Sequence, residues 1–220
     1  LPGEEGAVVT ITHSEEMNSE RTQLDFFSTG SHCVSVSGEP QIQTDTYIGA
    51  ATPQRVHPRF TWHGFRYFEI TGKATVLNVA VVHSDVSVTA TFACSNPTLN
   101  WLFDAYLRSQ LTNIHCGVLS DCPHRERLGY TGDAQVTAES AMMTLDCRKI
   151  YEKWMEDVVD GQDPTTGHIQ HTAPFYGGGG GPGGWGGAVF IVPMAYYRMY
   201  GDENFLRRYY PAMRLWLDYM

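Results

Sequence analysis

The sequence predicts a multi-domain chain in which β-structure is followed by an all-α region. Two observations support this order. The spacing of apolar residues changes from alternating to helical near Ser95, and Gly, Pro, Asn and Asp divide the first part into short segments. The chain has 220 residues, which suits one large or two small domains. We therefore predict a β-sandwich portion over residues 1–94 and a helical domain over residues 95–220.

The β-region is predicted from short runs rich in β-branched and aromatic residues. Such runs occur at Ala7–Thr12, Thr75–Val82 and Val86–Phe92. Phe60–Ile70 is predicted as a further strand pair, in which Gly64 marks a bend or a bulge. Several short strands separated by turn residues are typical of a sandwich.

The helical region begins with Ser95-Asn96-Pro97, a typical helix start. Apolar residues then recur at helical spacing, from Leu99 to Leu111. Further helices are predicted from Asp133 as the cap to about Leu145, over Arg148–Val159, over Ala188–Tyr200 before Gly201-Asp202, and from Asn204 onward. Five consecutive helices fit either a small bundle or the first part of a larger α/α toroid.

Composition and charge exclude several classes of function. The formal net charge is −9 and no Lys/Arg cluster occurs, which argues against a nucleic-acid partner. No apolar run approaches the roughly 20 residues that a membrane helix requires. The five cysteines are widely spaced and odd in number, so we expect no disulfide framework, and we expect Cys116 and Cys122 to be buried as small apolar residues. Because the chain starts at Leu1 and ends within a helical pattern, we expect it to be a piece of something longer.

Acidic residues concentrate in the segment Asp121-Cys-Pro-His-Arg-Glu-Arg-Leu-Gly-Tyr-Thr-Gly-Asp133. Pro123, Gly129 and Gly132 disfavour a continuous helix, so we predict a loop leading into the next helix. Such a loop can direct several carboxylates toward one point. Hydrolysis of a glycosidic bond needs two carboxyl groups, one to protonate the leaving oxygen and one to activate water or attack the sugar. Crowded carboxylates also raise one another's pKa, which keeps one protonated.

Other interpretations of this segment remain open on the residues alone. It could be an exposed charged loop with internal ion pairs. His115, Cys116, Asp121, Cys122 and His124 are metal-ligand types, but they lack the spacing of a zinc site, and we predict no metal or cofactor. A Cys122–His124 nucleophile pair lacks an orienting third group. The glycine run Gly177–Gly181 is not a P-loop; it fits a flexible loop or a pocket rim that carries Trp185 toward a ligand.

The segment Asp121–Gln135 resembles the sequence motif of the family 78 glycoside hydrolases, the α-L-rhamnosidases. Gln43–Ile48 with Pro58–Tyr67 resembles the β-domain that precedes their catalytic barrel, and Gly184–Pro193 is similar to their Gly-Trp-Gly-Asp segment. The resemblance covers about residues 40–220. It implies that residues 95–220 are the first helices of an (α/α)6 barrel, and that the substrate is a rhamnose-containing carbohydrate cleaved with inversion.

The resemblance also implies roles for individual residues. Glu126 matches the general acid. The sugar would be bound by residues that match the family motifs, namely Asp121, Asp133, Arg125, Tyr130 and Trp185. No position in the chain matches the general base, so we expect these residues alone to be inactive.

Two positions depart from the family pattern. Tyr130 stands where the family usually has Trp, and Gly187 stands where many members have Asp. These departures give some support to an alternative, a non-catalytic carbohydrate-binding protein on a decayed hydrolase scaffold. The intact carboxylates Asp121, Glu126 and Asp133 argue against that alternative.

Overall fold

The computed structural model describes residues 1–30, 40–177 and 184–220. It divides into two compact units. Unit 1 comprises Leu1–Val82 together with Cys122–Arg127, and unit 2 comprises His83–Asp121 together with Leu128–Met220. Among the described residues five strands precede the first of five helices, and two short strands follow that helix, so the predicted order of a β-region and then a helical region is confirmed. No helix in the described ranges combines the length and the apolarity that crossing a membrane requires.

The strands of the described residues are short. They are β1 (Val8–Ser14), β2 (Glu16–Met17), β3 (Leu24–Asp25), β4 (Thr44–Ile48), β5 (Tyr67–Thr71), β6 (Ile114–His115) and β7 (Val118–Leu119). In unit 1, β1 lies between β4 and β5 in an antiparallel three-stranded sheet. Ile11 is the partner of Asp45 on one side and of Ile70 on the other. β2 and β3 form a separate antiparallel pair.

Two of the predicted strands are wrong, and a third is shorter than predicted. Residues 75–82 form no strand, and residues 86–92 contribute a single bridge from Val88 to Leu145. Of the predicted pair over residues 60–70, only β5 is regular. A strand requires a neighbouring backbone to hydrogen-bond with. Among the described residues no strand lies beside residues 75–82, where Val81 is 86% exposed.

Gly64 allows two backbone segments of unit 1 to approach closely, rather than forming a bulge in a strand. Its N–H donates to the side-chain oxygen of Gln43 at 2.9 Å. A Cβ at Gly64 would lie 2.8 Å from the carbonyl carbon of Pro123. Any side chain here would therefore displace the segment that follows Cys122.

The helices of unit 2 are α1 (Pro97–Thr112), α2 (Thr131–Thr144), α3 (Arg148–Asp160), α4 (Ala188–Tyr200) and α5 (Glu203–Tyr219). The predicted start of α1 is confirmed, since Asn96 accepts a hydrogen bond from the N–H of Thr98 at 2.9 Å and Pro97 follows it. The end of α4 is confirmed as well. Gly201 closes it in the left-handed conformation with φ of 69°.

The start of α2 corrects the prediction that Asp133 is its cap. The helix begins at Thr131, so Asp133 lies within its first turn. The preceding backbone is held extended, because Tyr130 forms a β-bridge with Thr172 and the N–H of Ala173 donates to the Gly129 carbonyl at 2.8 Å. The backbone pairing therefore fixes the helix start two residues before the acidic side chain.

Cys116 lies in the turn of the hairpin formed by β6 and β7, so the prediction that it is buried is wrong. Cys116 and Gly117 form its two-residue turn with φ of 50° and 73°, as a type I′ turn requires. Cys116 is exposed there and Cys122 is half-buried, so neither is a buried core residue. Cys94 is exposed and Cys147 is buried, while Cys33 lies outside the described residues.

The core of unit 2 is formed mainly by α2 to α5. Trp154 and Tyr151 of α3 and Tyr196 of α4 are almost fully buried. The indole N–H of Trp154 donates to the Ala173 carbonyl at 2.9 Å, so this buried polar group is satisfied. Most of the predicted apolar face of α2 is buried, but Val136 is 78% exposed.

Candidate active site

The acidic segment contributes to both units. Cys122–Arg127, which contains Glu126, belongs to unit 1, whereas Asp121 and the residues from Leu128 to Asp133 belong to unit 2. Residues 121–130 form a loop that leads into α2, as the sequence indicated. The convergence of all three carboxylates on one point stays a prediction.

In unit 2 the two ends of the loop are fastened to each other. The backbone N–H of Asp121 donates to the Leu128 carbonyl at 3.1 Å, and the Leu128 N–H donates to a carboxylate oxygen of Asp121 at 3.3 Å. Gly129 then lies so close to Ala173 that a Cβ would be 2.3 Å from its carbonyl oxygen. These contacts fix the position of the Asp121 backbone relative to the start of α2.

Asp121 and Asp133 line the same pocket of unit 2, which has a volume of about 130 Å³. Its other lining residues are Gln110, Asn113, Leu119, Ser120, Ala134, Val136 and Thr137. Burial raises the pKa of Asp133, and the negative charge of Asp121 raises it further. The volume is below the roughly 300 Å³ typical of whole ligand sites, so this pocket suits one polar edge of a small ligand.

An aromatic cluster lies beside the start of α2. The rings of Tyr130 and Trp185 meet edge to face with centroids 5.3 Å apart. Gly132 leaves the space that the indole occupies, since a Cβ there would be 2.6 Å from the Trp185 ring nitrogen. Tyr130 and Trp185, both predicted site residues, are therefore in contact in unit 2, and their role in ligand binding stays a prediction. Of the glycine run before Trp185, only Gly177 is among the described residues.

His171 is a further member of this cluster that sequence reasoning missed. Its ring centroid lies 4.7 Å from that of Trp185. It follows α3 in an irregular polar stretch, and its neighbour Thr172 pairs with Tyr130. No motif or periodic pattern in the sequence singles out this position, because the contact depends on a pairing between segments about 40 residues apart.

In unit 1, Glu126 is paired with its neighbour in the chain. A guanidinium nitrogen of Arg125 lies 3.1 Å from a carboxylate oxygen of Glu126. The Glu126 side chain is 26% exposed, so solvent and ligands retain access to it. Arg125 and Glu126, two of the predicted site residues, are thus in direct contact.

Arg127 anchors the end of this segment in unit 1. Its guanidinium donates to the Trp62 carbonyl at 2.9 Å and lies over the indole ring at 5.9 Å from the centroid. The residue has φ of 56°, a left-handed conformation that side-chain-bearing residues rarely adopt without such tertiary support. The anchor restricts the backbone on the C-terminal side of Glu126.

Two protein-family models together match nearly the whole chain. The model described as bacterial alpha-L-rhamnosidase 6 hairpin glycosidase domain matches residues 87–220. The model described as bacterial alpha-L-rhamnosidase concanavalin-like domain matches residues 1–91. The predicted boundary between residues 94 and 95 stays a prediction.

Curated relatives and solved structures that match the chain are named α-L-rhamnosidases. An α-L-rhamnosidase of Streptomyces avermitilis is 34% identical over all of this chain, which spans 21% of that protein. A crystal structure of the S. avermitilis enzyme complexed with L-rhamnose matches with a TM-score of 0.82 and 32% identity, covering 100% of this chain and 21% of the other. The α-L-rhamnosidase from Dictyoglumus thermophilum matches with a TM-score of 0.85 and 30% identity, covering 99% of this chain and 24% of the other. The chain thus spans about a fifth to a quarter of these relatives.

Proposed function

The chain belongs to the bacterial α-L-rhamnosidase family, and on this basis we propose that the whole protein removes terminal α-L-rhamnose from glycosides or polysaccharides. The observation that carries the proposal is the carboxylate pair Asp121 and Asp133 in one pocket of unit 2. This pair adjoins the start of α2, beside which the aromatic cluster lies. Carboxylates that accept hydrogen bonds from hydroxyl groups, next to an aromatic face, are the elements of a sugar site.

In the proposed mechanism Glu126 is the general acid. Its carboxyl group donates a proton to the glycosidic oxygen as the bond to the anomeric carbon breaks, so the departing alcohol leaves neutral. Arg125, which contacts Glu126 at 3.1 Å, orients that carboxyl group and also reaches the sugar. Asp121 and Asp133 accept hydrogen bonds from rhamnose hydroxyls, and Tyr130 with Trp185 packs against the apolar face of the ring.

The hydrolysis is proposed to proceed with inversion. A general base then activates a water on the opposite face of the sugar, with the two carboxyl groups about 6.5–9.5 Å apart to accommodate it. We propose that this base is a carboxylate of the whole protein outside residues 1–220. These residues alone should therefore release no nitrophenol from 4-nitrophenyl α-L-rhamnoside, and measurable hydrolysis by them would contradict this assignment.

The acid assignment is tested with Glu126→Gln in the whole protein. Turnover of 4-nitrophenyl α-L-rhamnoside should fall by about 10²–10⁴-fold. Rhamnosyl fluoride, whose leaving group needs no proton, should lose much less. Glu20→Gln, which changes an exposed glutamate of unit 1, is the matched control and should keep full activity. Normal turnover of the aryl rhamnoside by Glu126→Gln would show that Glu126 is not the acid.

Two further measurements test the rest of the proposal. Proton NMR of the first-formed rhamnose should show the β-anomer if the reaction inverts, and initial release of the α-anomer would exclude inversion. Calorimetric binding of rhamnose by the whole unmodified protein without any hydrolysis would instead favour the non-catalytic carbohydrate-binding alternative.

A further inference from the structure

Three ligand-type side chains meet in unit 1, separate from the residues assigned to rhamnoside hydrolysis. His13 comes from β1, Asp45 from β4 and His63 from the segment before β5. One nitrogen or oxygen atom of each lies within 4.8 Å of those of the other two. Both carboxylate oxygens of Asp45 are 3.0 Å from Nε2 of His63. The two imidazole rings are stacked with centroids 4.3 Å apart.

The orientation of His13 is fixed by a backbone group. Its Nδ1 lies 3.2 Å from the Gln43 carbonyl oxygen. A carbonyl can only accept, so Nδ1 carries the hydrogen and Nε2 of the neutral ring keeps its lone pair. Histidines that bind metals almost always donate their other ring N–H to a carbonyl or a carboxylate in this way.

The group that orients His13 is itself held rigidly. The side chain of Gln43 donates to the Gly64 carbonyl at 2.7 Å and accepts from the Gly64 N–H at 2.9 Å. This reciprocal pair joins the residue before β4 to the residue after His63. The three candidate ligands are therefore held by one buried network before any ligand arrives.

Burial and charge suit the cluster to metal binding. His13 is 7% exposed, and the side chains of His63 and Asp45 are 7% and 15% exposed. Asp45 supplies a negatively charged carboxylate and the two histidines supply imidazole nitrogens, which are ligand types that zinc binds.

We propose that His13, Asp45 and His63 bind a divalent transition-metal ion of the Zn²⁺ class. Zinc bonds of about 2.0–2.2 Å in a tetrahedral site place ligand atoms roughly 3.4 Å apart. The 3.0 Å between His63 and Asp45 therefore needs to widen by a few tenths of an ångström. Ligand atoms of the cluster that lie up to 4.8 Å apart need to approach each other by up to about 1.4 Å. Two imidazoles and one carboxylate leave a fourth position, which water fills from the cavity of about 760 Å³ that the three side chains line.

Such an ion would tie together β1, β4 and the segment that leads into β5. Because it would bind the folded unit and not the separated segments, it would stabilise unit 1 by mass action. The inference is independent of the proposed rhamnosidase activity, since it involves none of the residues assigned to sugar binding or proton transfer.

The first test is calorimetric titration of the whole protein with ZnCl₂ after removal of metals by a chelator. We expect saturable binding that weakens by more than about 100-fold in His63→Gln and in Asp45→Asn, beyond the usual loss when only a supporting partner is removed. His57→Gln, which changes an exposed histidine lining the same cavity, is the matched control and should bind as the unmodified protein does.

A second test needs no variant and so does not depend on how the variants fold. Diethyl pyrocarbonate modifies neutral imidazoles, and mass spectrometry locates the modified residues. Zn²⁺ should protect His13 and His63 and leave His57 as reactive as before, whereas Ca²⁺, which prefers oxygen ligands, should protect neither. Absence of protection together with unchanged zinc affinity in both variants would overturn the proposal.

Discussion

The contact between Gly132 and Trp185 offers a quantitative test of the aromatic cluster. Gly132 is the second residue of α2, and a Cβ at that position would lie 2.6 Å from the indole nitrogen and 2.8 Å from Cδ1. Ordinary contacts begin at 3.4 Å, so Gly132→Ala requires the indole to retreat by about 0.8 Å. The substitution therefore moves one predicted sugar-binding side chain without removing it.

The expected loss follows from the size of that displacement. A misplacement of about 1 Å costs roughly 10²-fold in rate where positioning matters, so kcat/KM for an aryl rhamnoside should fall by about 10- to 100-fold. Overpacking costs about 1–3 kcal/mol of stability. The higher helix propensity of alanine offsets about 0.8–1 kcal/mol of this. The free energy of unfolding should therefore change much less than the activity does.

The assay is initial-rate hydrolysis of 4-nitrophenyl α-L-rhamnoside by the whole protein, with urea unfolding measured alongside. Gly184→Ala is the matched control, because a Cβ at Gly184 meets nothing within 4 Å, and it should change neither quantity. If the effect passes through the indole, Gly132→Ala should cost little further activity in a Trp185→Ala background. Equal losses in both backgrounds, or full activity of Gly132→Ala, would refute the reasoning.

Four further predictions concern the same unit. Asp121→Asn should lower the raised pKa of Asp133 without restoring its ordinary value of 3.8, because burial is the larger cause. Carboxyl ¹³C NMR titration measures this, and an unchanged pKa would contradict it. Folding raises the pKa of Asp133, so the free energy of unfolding should fall as the pH rises from 3.8 through the pKa of the folded protein. Asp133→Asn should remove that pH dependence, which urea unfolding at several pH values measures. Gly129→Ala should destabilise unit 2 by about 3 kcal/mol in urea unfolding, because its Cβ would meet the Ala173 carbonyl oxygen at 2.3 Å and a backbone carbonyl cannot rotate away; near-native stability would contradict the close packing. Asp202→Ala should cost about 1 kcal/mol by removing the cap of α5, whereas Asp202→Ser should retain most of it, and equal losses in the two variants would argue against a capping role.

The helical half was predictable because its signals are local. Asn96 caps α1 with its own side chain, and Gly201 ends α4 by adopting the left-handed conformation. Both effects act within a few residues, so the sequence shows them directly. The strands were predicted less well for the opposite reason. Residues 75–82 have the composition of a strand, but composition cannot supply the neighbouring backbone that a strand must pair with.

In the candidate site too, features that depend on neighbouring residues were predictable and features that depend on distant segments were not. The residues of the acidic segment, and the family they resemble, could be identified from the order of side chains alone. The contact between Arg125 and Glu126 joins neighbours in the chain. By contrast, the position of His171 against Trp185 depends on the pairing of Tyr130 with Thr172, which no local pattern encodes.

The sequence by itself determined the order of β-structure and helices, most helix limits and the chemical character of the loop from Asp121 to Asp133. These depend on backbone preferences and side-chain chemistry that act over a few residues. Only the tertiary structure decided which carboxylates share a pocket, that Asp133 lies within α2 and not at its cap, and that His13, Asp45 and His63 meet. Those outcomes depend on contacts between segments far apart in the chain, where packing and hydrogen bonding outweigh local preference.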